Sequence, residues 1–318
     1  MYKKIPILIM LVLTVNTVAR GSLLEGKGET IFPFLKINPS VESAAYSGSN
    51  AAIIEGAQAA FLNPAGLASA EKTGFYALYT RWLDDINIGY VSSVYQLEKY
   101  GNLGVCLGYM QYPDLKVIEE DAASEYGYSV KNTFSASSGY GGVSISKYLS
   151  TNLMGGCGLK FVGEKIGSYA SASTLAMDCG IIGSASPEES YGLSVSNLSW
   201  GARFKDKLEP LPVIIRAAGS WSYTQIQGKM AGWKYGLTLG SELRFKDGLY
   251  IMCGLDISPG KIISIRGGYN YALESDDLGA PGGASFGLGL GDLEGVRIEY
   301  SLASFGRLGL THRIGINF

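Results

Sequence analysis

The sequence predicts an all-β protein, a transmembrane antiparallel β-barrel of about 14 strands behind an N-terminal segment of different character. Three observations carry this. From residue 73 onward apolar and polar side chains alternate with a period of two, and only a strand puts alternate side chains on opposite faces. Of the 318 residues 17% are charged, well under the usual quarter or so, while 44 glycines and 21 tyrosines suit sheet rather than helix. Beyond the first residues, no run reaches the roughly 18 to 20 apolar residues that a transmembrane helix needs. An open sheet in lipid would leave its edge amides unpaired, so a spanning chain of this kind has to close on itself.

In chain order, residues 1–19 read as a signal peptide. Lys3 and Lys4 precede an apolar run from Ile5 to about Val15, and Thr17, Val18 and Ala19 offer a small-residue cleavage site. Residues 20–70 lack alternation. They hold one short apolar run, residues 56–62, which is expected to form a short helix stopped by Asn63, Pro64, Ala65 and Gly66. Residues 71–318 form the barrel. Trp233, Tyr235, Leu237 and Leu239 alternate with Lys234, Gly236, Thr238 and Gly240, and Val296, Ile298 and Tyr300 alternate with Arg297, Glu299 and Ser301. Short joints, such as 148–152 and 186–190, take turns with longer ones, such as 112–131, 200–212 and 272–283, as periplasmic turns and external loops do. No internal repeat of solenoid period and no domain linker stands out.

The last stretch, residues 308–318, separates a barrel from a soluble sandwich. Leu310, Ile314, Ile316 and Phe318 share one face, and Thr311, Arg313, Gly315 and Asn317 the other. An aromatic closing residue is what the membrane interface favours, and Phe318 is read as the barrel-assembly signal. Partners expected on this reading are outer-membrane lipid and the barrel-assembly machinery. The net charge of -2 offers no basic stripe for nucleic acid.

The segment Phe34-Leu35-Lys36-Ile37, the stretch from Ala59 to Ala68, Ile265-Arg266-Gly267-Gly268-Tyr269 and Thr311-His312-Arg313-Ile314 resemble the PorV/PorQ proteins of the FadL-like superfamily. The resemblance implies a fourteen-stranded barrel of the cell outer membrane whose residues 20–70 fold into the lumen as a hatch. The hatch motif then falls on Asn63, Pro64, Ala65 and Gly66. It further implies one of two roles: binding or passing hydrophobic small molecules such as long-chain fatty acids, or holding exported proteins in type IX secretion.

Parity places Arg216, Glu242, Arg244, Asp256, Arg266, Arg297 and Glu299 toward the lumen, where charges of both signs can pair with one another or hold a plug. His312, the one histidine, shares the outward face with Leu310 and Ile314, and spacing pairs no serine with it. No enzyme activity, cofactor or metal is therefore expected. The acidic run Asp114, Glu119, Glu120, Asp121 and Glu125 lacks calcium-loop spacing and reads as a solvated loop. Cys106 is expected to face a wet lumen, and Cys157, Cys179 and Cys253 to face lipid. Cys157 and Cys179 come nearly opposite in a predicted hairpin, yet directly opposed positions sit wider than a relaxed disulfide, which favours free thiols.

Overall fold

The computed structural model describes residues 28–318 except 229, 231, 274–281 and 292–294, so the expected signal segment lies outside the described residues. In chain order the strands are β1 (Gly74–Arg81), β2 (Asn87–Gln96), β3 (Asn102–Gln111), β4 (Leu115–Glu120), β5 (Tyr128–Phe134), β6 (Ala136–Ser150), β7 (Leu153–Ile166), β8 (Ala170–Ser186) and β9 (Glu189–Leu198). They continue with β10 (Ala202–Phe204), β11 (Lys207–Glu209), β12 (Ile214–Thr224), β13 (Trp233–Arg244), β14 (Gly248–Pro259), β15 (Ile263–Ala272), β16 (Ala284–Gly291), β17 (Arg297–Ser304) and β18 (Leu310–Asn317).

Fourteen of these form a closed barrel, each antiparallel to its neighbours, with the seam between β1 and β18. Closure leaves no strand edge unpaired. The other four make two hairpins, β4–β5 and β10–β11, that stand off the same end of the barrel. They occupy stretches that read as plain loops, including the acidic run, because their short alternating segments pair locally without reaching a neighbouring barrel strand. We call that end the loop mouth. At the opposite end, the turn mouth, β1 begins, β18 ends and tight turns join the strands.

The period-two pattern sorts side chains cleanly. On β18, Leu310, His312 and Ile314 are exposed outward while Thr311 and Arg313 are buried inward. On β7, Leu159 and Phe161 lie outside and Lys160 and Val162 inside. The outer surface is thus a continuous belt of exposed apolar side chains, with Tyr95, Tyr100 and Tyr223 near the turn mouth and Tyr79, Tyr109, Tyr169 and Tyr271 near the loop mouth. A belt this wide is stable against hydrocarbon rather than water, and two aromatic girdles mark its interfaces. Among the described residues no helix is long and apolar enough to cross a membrane.

The hydrophobic core lies between the barrel wall and residues 28–70. This inner segment starts at the loop mouth, where the Gly28 and Ile31 amides donate to the carbonyls of Lys246 and Pro210 at 3.3 and 3.0 Å. It finishes at the turn mouth, leading into β1. Between lie a helical turn at Pro33–Lys36, a short α-helix at Val41–Ala45, and two further turns at Gly56–Phe61 and Pro64–Ser69. Ser40 caps the α-helix by accepting from the Ser43 amide at 3.1 Å. Phe32, Phe34, Ile54, Phe61 and Leu67 of the segment pack against Tyr76, Tyr90 and Val162 of the wall. The Asn-Pro-Ala-Gly box does more than stop the first of the two later turns. Asn63 is also the cap of the next one, and Pro64 sits at its first position, where no amide donor is needed.

Candidate functional site: the filled lumen and its cavity

The wall holds the inner segment by offering side-chain donors to its backbone carbonyls. Ser92 donates to Ala57 O at 2.8 Å, Ser146 to Ala65 O at 2.9 Å, and Ser285 to Ala45 O at 2.7 Å. Asn102 donates to both Leu67 O and Ala70 O, at 2.7 and 2.9 Å. The Val41 amide in turn donates to the Tyr76 hydroxyl at 2.8 Å. Each such bond contributes about 1 kcal/mol net, and leaving its buried partner unmatched costs more. Asn63 works in the opposite direction. Its side-chain amide donates to Ala51 O at 2.9 Å and to Ile181 O of the wall at 3.3 Å, while its oxygen accepts from the Ala65 amide.

Lumen-facing glycines let the segment come this close. A methyl group added at Gly180 would sit 2.0 Å from the Asn63 side-chain oxygen, and one at Gly268 would sit 2.5 Å from the Tyr46 carbonyl carbon. Gly156 and Gly192 meet the backbone of Pro64 and Ala51 in the same way. Much of the glycine excess in the sequence therefore marks contact with the segment rather than turns.

All seven lumen-parity charges lie on the inner wall. Arg216 and Arg244 both reach Glu242, at 2.6 and 2.5 Å. Arg266 joins Glu299 at 2.8 Å, Asp256 at 3.5 Å and Glu42 of the inner segment at 3.3 Å, and Arg297 also reaches Glu299 at 3.2 Å. Glu42 is fixed in turn by the Gln58 side-chain amide at 2.6 Å. Burial raises the phenol of Tyr46 well above its ordinary value, with the Arg266 guanidinium over its ring pulling the other way. At the loop mouth, Lys246 holds the Glu29 carboxyl below the usual range by a direct hydrogen bond. Two further interior groups were missed in the sequence. Lys160 pairs with Asp178 at 2.7 Å, buried, and alternation placed both inward, but β7 and β8 were read only through their cysteines. Asp178 also accepts from the Asn197 amide at 2.7 Å, where the register between β8 and β9 shifts.

Arg313 is the other. It is 2% exposed, its Nε has no partner, and its recorded contacts are a hydrogen bond to the Thr311 hydroxyl at 3.0 Å and the face of Trp82 at 5.2 Å. Thr80 on β1 and Ser301 on β17 flank it in the same cross-strand row, and both hydroxyls are likewise buried without partners. The Thr80 and Ser301 hydroxyls and the Arg313 Nε thus form a row of buried polar atoms without protein partners, an arrangement that buried polar groups normally avoid.

Arg313 lines a cavity of about 590 Å3 between the inner segment and the loop mouth. Its floor includes Ile37, Asn38 and Ser47, and its walls carry Trp82, Tyr250, Tyr269 and Phe305. Lys36, Arg216, Arg244 and Arg313 line it with Glu242; Lys36 and Arg244 also reach Asp247, at 3.2 and 3.8 Å, so among the described residues Arg313 is the lining cation without a carboxylate partner. A second, larger space of about 1130 Å3 is an apolar cleft in the outer wall at β1, β2, β3, β6 and β7. Outward Tyr79, Leu107, Tyr109 and Phe161 border it, and inward Tyr90 and Tyr140 reach it too.

Two single residues complete the account. His312 faces outward, its Nδ1 2.7 Å from the Tyr300 hydroxyl. Cys106 points inward as its parity indicates, but it is 4% exposed under the inner segment, so the wet lumen expected around it is instead a packed one. Cys157 and Cys179 are direct cross-strand partners, both unbridged, with sulfurs 3.2 Å apart.

The sequence matches no family profile and no characterised relative. Solved structures do share its fold. The Pseudomonas putida toluene transporter TodX aligns at a TM-score of 0.58 and 12% identity, over 92% of this chain and 96% of that one. The CymD monoaromatic hydrocarbon channel gives 0.58 and 12%, over 90% and 97%. The Ralstonia pickettii toluene transporter TbuX gives 0.54 and 11%, over 90% and 98%. At such identities the likeness speaks for the fold alone, across nearly the whole length of each chain.

Proposed function

We propose that this protein resides in the outer membrane and binds and passes hydrophobic small molecules, favouring those that carry a carboxylate, with long-chain fatty acids as the type. The observation that carries this is Arg313, which lines an aromatic-walled cavity with no carboxylate partner among the described residues and shares a cross-strand row with the unpartnered hydroxyls of Thr80 and Ser301. A guanidinium flanked by two hydroxyls suits a carboxylate, and Trp82, Phe305 and Tyr250 suit an alkyl body. TodX, TbuX and CymD are named for toluene and monoaromatic hydrocarbons, which are neutral. Arg313, the lining cation without a carboxylate partner among the described residues, favours an acidic cargo over a neutral one. The inner segment is the gate in this reading, the Asn63 box its anchor on the wall, and the outer-wall cleft an apolar way out that avoids water.

The test is displacement of a fluorescent fatty acid from detergent-purified protein. Laurate is expected to compete at least about tenfold better than 1-dodecanol, and Arg313→Leu is expected to remove that difference while leaving barrel yield unchanged. Equal competition by acid and alcohol in the native chain overturns the carboxylate preference. No saturable binding of either overturns the transport reading.

A second reading, a PorV/PorQ-type component of type IX secretion, draws support from the loop mouth. The β4–β5 hairpin and the loop before β10 present exposed Ile118, Tyr126 and Trp200 to the outside, more apolar surface than a small-molecule port needs. Co-purification of exported proteins, lost on removing residues 113–135, would support it.

A further inference from the structure

We infer that the outer wall carries a specific site for an anionic glycerophospholipid, on the side formed by β6 to β9 near the turn mouth. The inference rests on the membrane-spanning reading of the barrel and on nothing about its cargo. In the outward-facing cross-strand row Ile145, Cys157, Cys179 and Val195, two small thiols lie side by side between branched residues. In the next row toward the turn mouth, Lys147, Gly155, Ile181 and Leu193, a glycine follows the lysine. Small groups flanked by bulky ones leave a furrow, and a groove of about 730 Å3 runs along these positions. Its sides are alkyl: Ile145 and Leu149 on one, Ile181, Leu193 and Val195 on the other.

The groove has a polar end. Lys99 and Tyr100, in the turn between β2 and β3, line it together with Lys147. Lys147 abuts that turn, since a methyl group at Gly101 would lie 2.8 Å from its Cβ. Both lysines are exposed, neither has an ion-pair partner among the described residues, and the neighbouring Glu98 does not line the groove. Tyr95 and Tyr100 place this level at the membrane interface, where lipid phosphates sit. An acyl chain in the furrow thus brings its own phosphate to two uncompensated ammonium groups, an arrangement that a neutral or zwitterionic lipid uses less well. The larger outer-wall cleft differs in ending on one lysine, Lys165, with the carboxylate of Glu164 beside it.

Native mass spectrometry of the full chain, released from detergent with equal amounts of phosphatidylglycerol and phosphatidylcholine of the same acyl chains, tests the site. The native protein is expected to retain phosphatidylglycerol about fivefold more than phosphatidylcholine. Lys99→Gln with Lys147→Gln should abolish the preference, and Gly155→Leu should lower retention of both lipids by filling the groove. Lys261→Gln, at the same end but on another part of the wall, should change neither. Equal retention of the two lipids by native protein, or an undiminished preference in the double variant, overturns the site. Heat-modifiable mobility and strand-type circular dichroism are read on every sample. Loss of these in the native chain would count against the spanning barrel itself, a failure distinct from absence of the lipid preference.

Discussion

Asn63 joins three parts of the molecule through one side chain: the following turn, residue 51 of its own segment, and β8 of the wall. Asn63→Ala removes all three and leaves buried carbonyls unmatched, so a loss of about 2 to 4 kcal/mol in the docking of the segment is expected, read as faster proteolysis or amide exchange in residues 40–70. Gly180→Ala is expected to have a comparable effect through steric conflict with the same side chain. Wild-type protection in both variants would remove Asn63 from this role. Arg313 presents the reverse case. Its unmatched guanidinium is costly in place, so Arg313→Leu should hold or raise stability while impairing carboxylate binding, a split seen by pairing thermal melts with displacement assays. At this scale the sequence was only partly legible. Alternation gave each residue's face, but it could not give partners, because pairing across a sheet depends on register. So Glu242 was readable as interior, whereas its sharing between Arg216 and Arg244, or the isolation of Arg313, was not.

Among elements, the β7–β8 hairpin is the sharpest test of register. Its pairing sets Cys157 against Cys179 on the outer face, with Cys106 inside and Cys253 outside. Native protein denatured in the presence of an alkylating agent is expected to show four modified thiols by mass. In detergent, without denaturant, Cys106 should label slowly, because residues 28–70 cover it, and it should label readily once they are removed. A native Cys157–Cys179 crosslinked peptide would refute the free thiols while supporting the register, and any crosslink to Cys106 would contradict the facing of β3. Strands were the most legible elements, since period two persists along each. The helical turns of the inner segment and the two outer hairpins were not, because each is too short for its period to rise above composition. Their shape comes from what they touch.

For the molecule as a whole, closure and filling are separable. The Phe318 amide donates to the Phe75 carbonyl at 2.9 Å and the two rings lie 5.2 Å apart, so the seam is finished by this one aromatic pair. Deleting Phe318 is expected to reduce membrane-inserted barrel severalfold more than deleting exposed Glu125 in the β4–β5 hairpin, measured by heat-modifiable mobility. Equal yields would exclude the residue as an assembly signal. Removing residues 20–62 should leave the barrel closed but raise single-channel conductance in planar bilayers, and unchanged conductance would mean that the segment does not block the lumen.

The ring of donors and glycines that grips the inner segment is drawn from β1, β2, β3, β6, β8, β9, β15 and β16, which lie around most of the circumference. No smaller set of strands presents that surface. The segment, although it precedes every strand in the chain, therefore has nowhere to settle until the last strand has met the first. Order in time is then expected to run against order in sequence, with amides of residues 28–70 gaining exchange protection after those of the barrel strands.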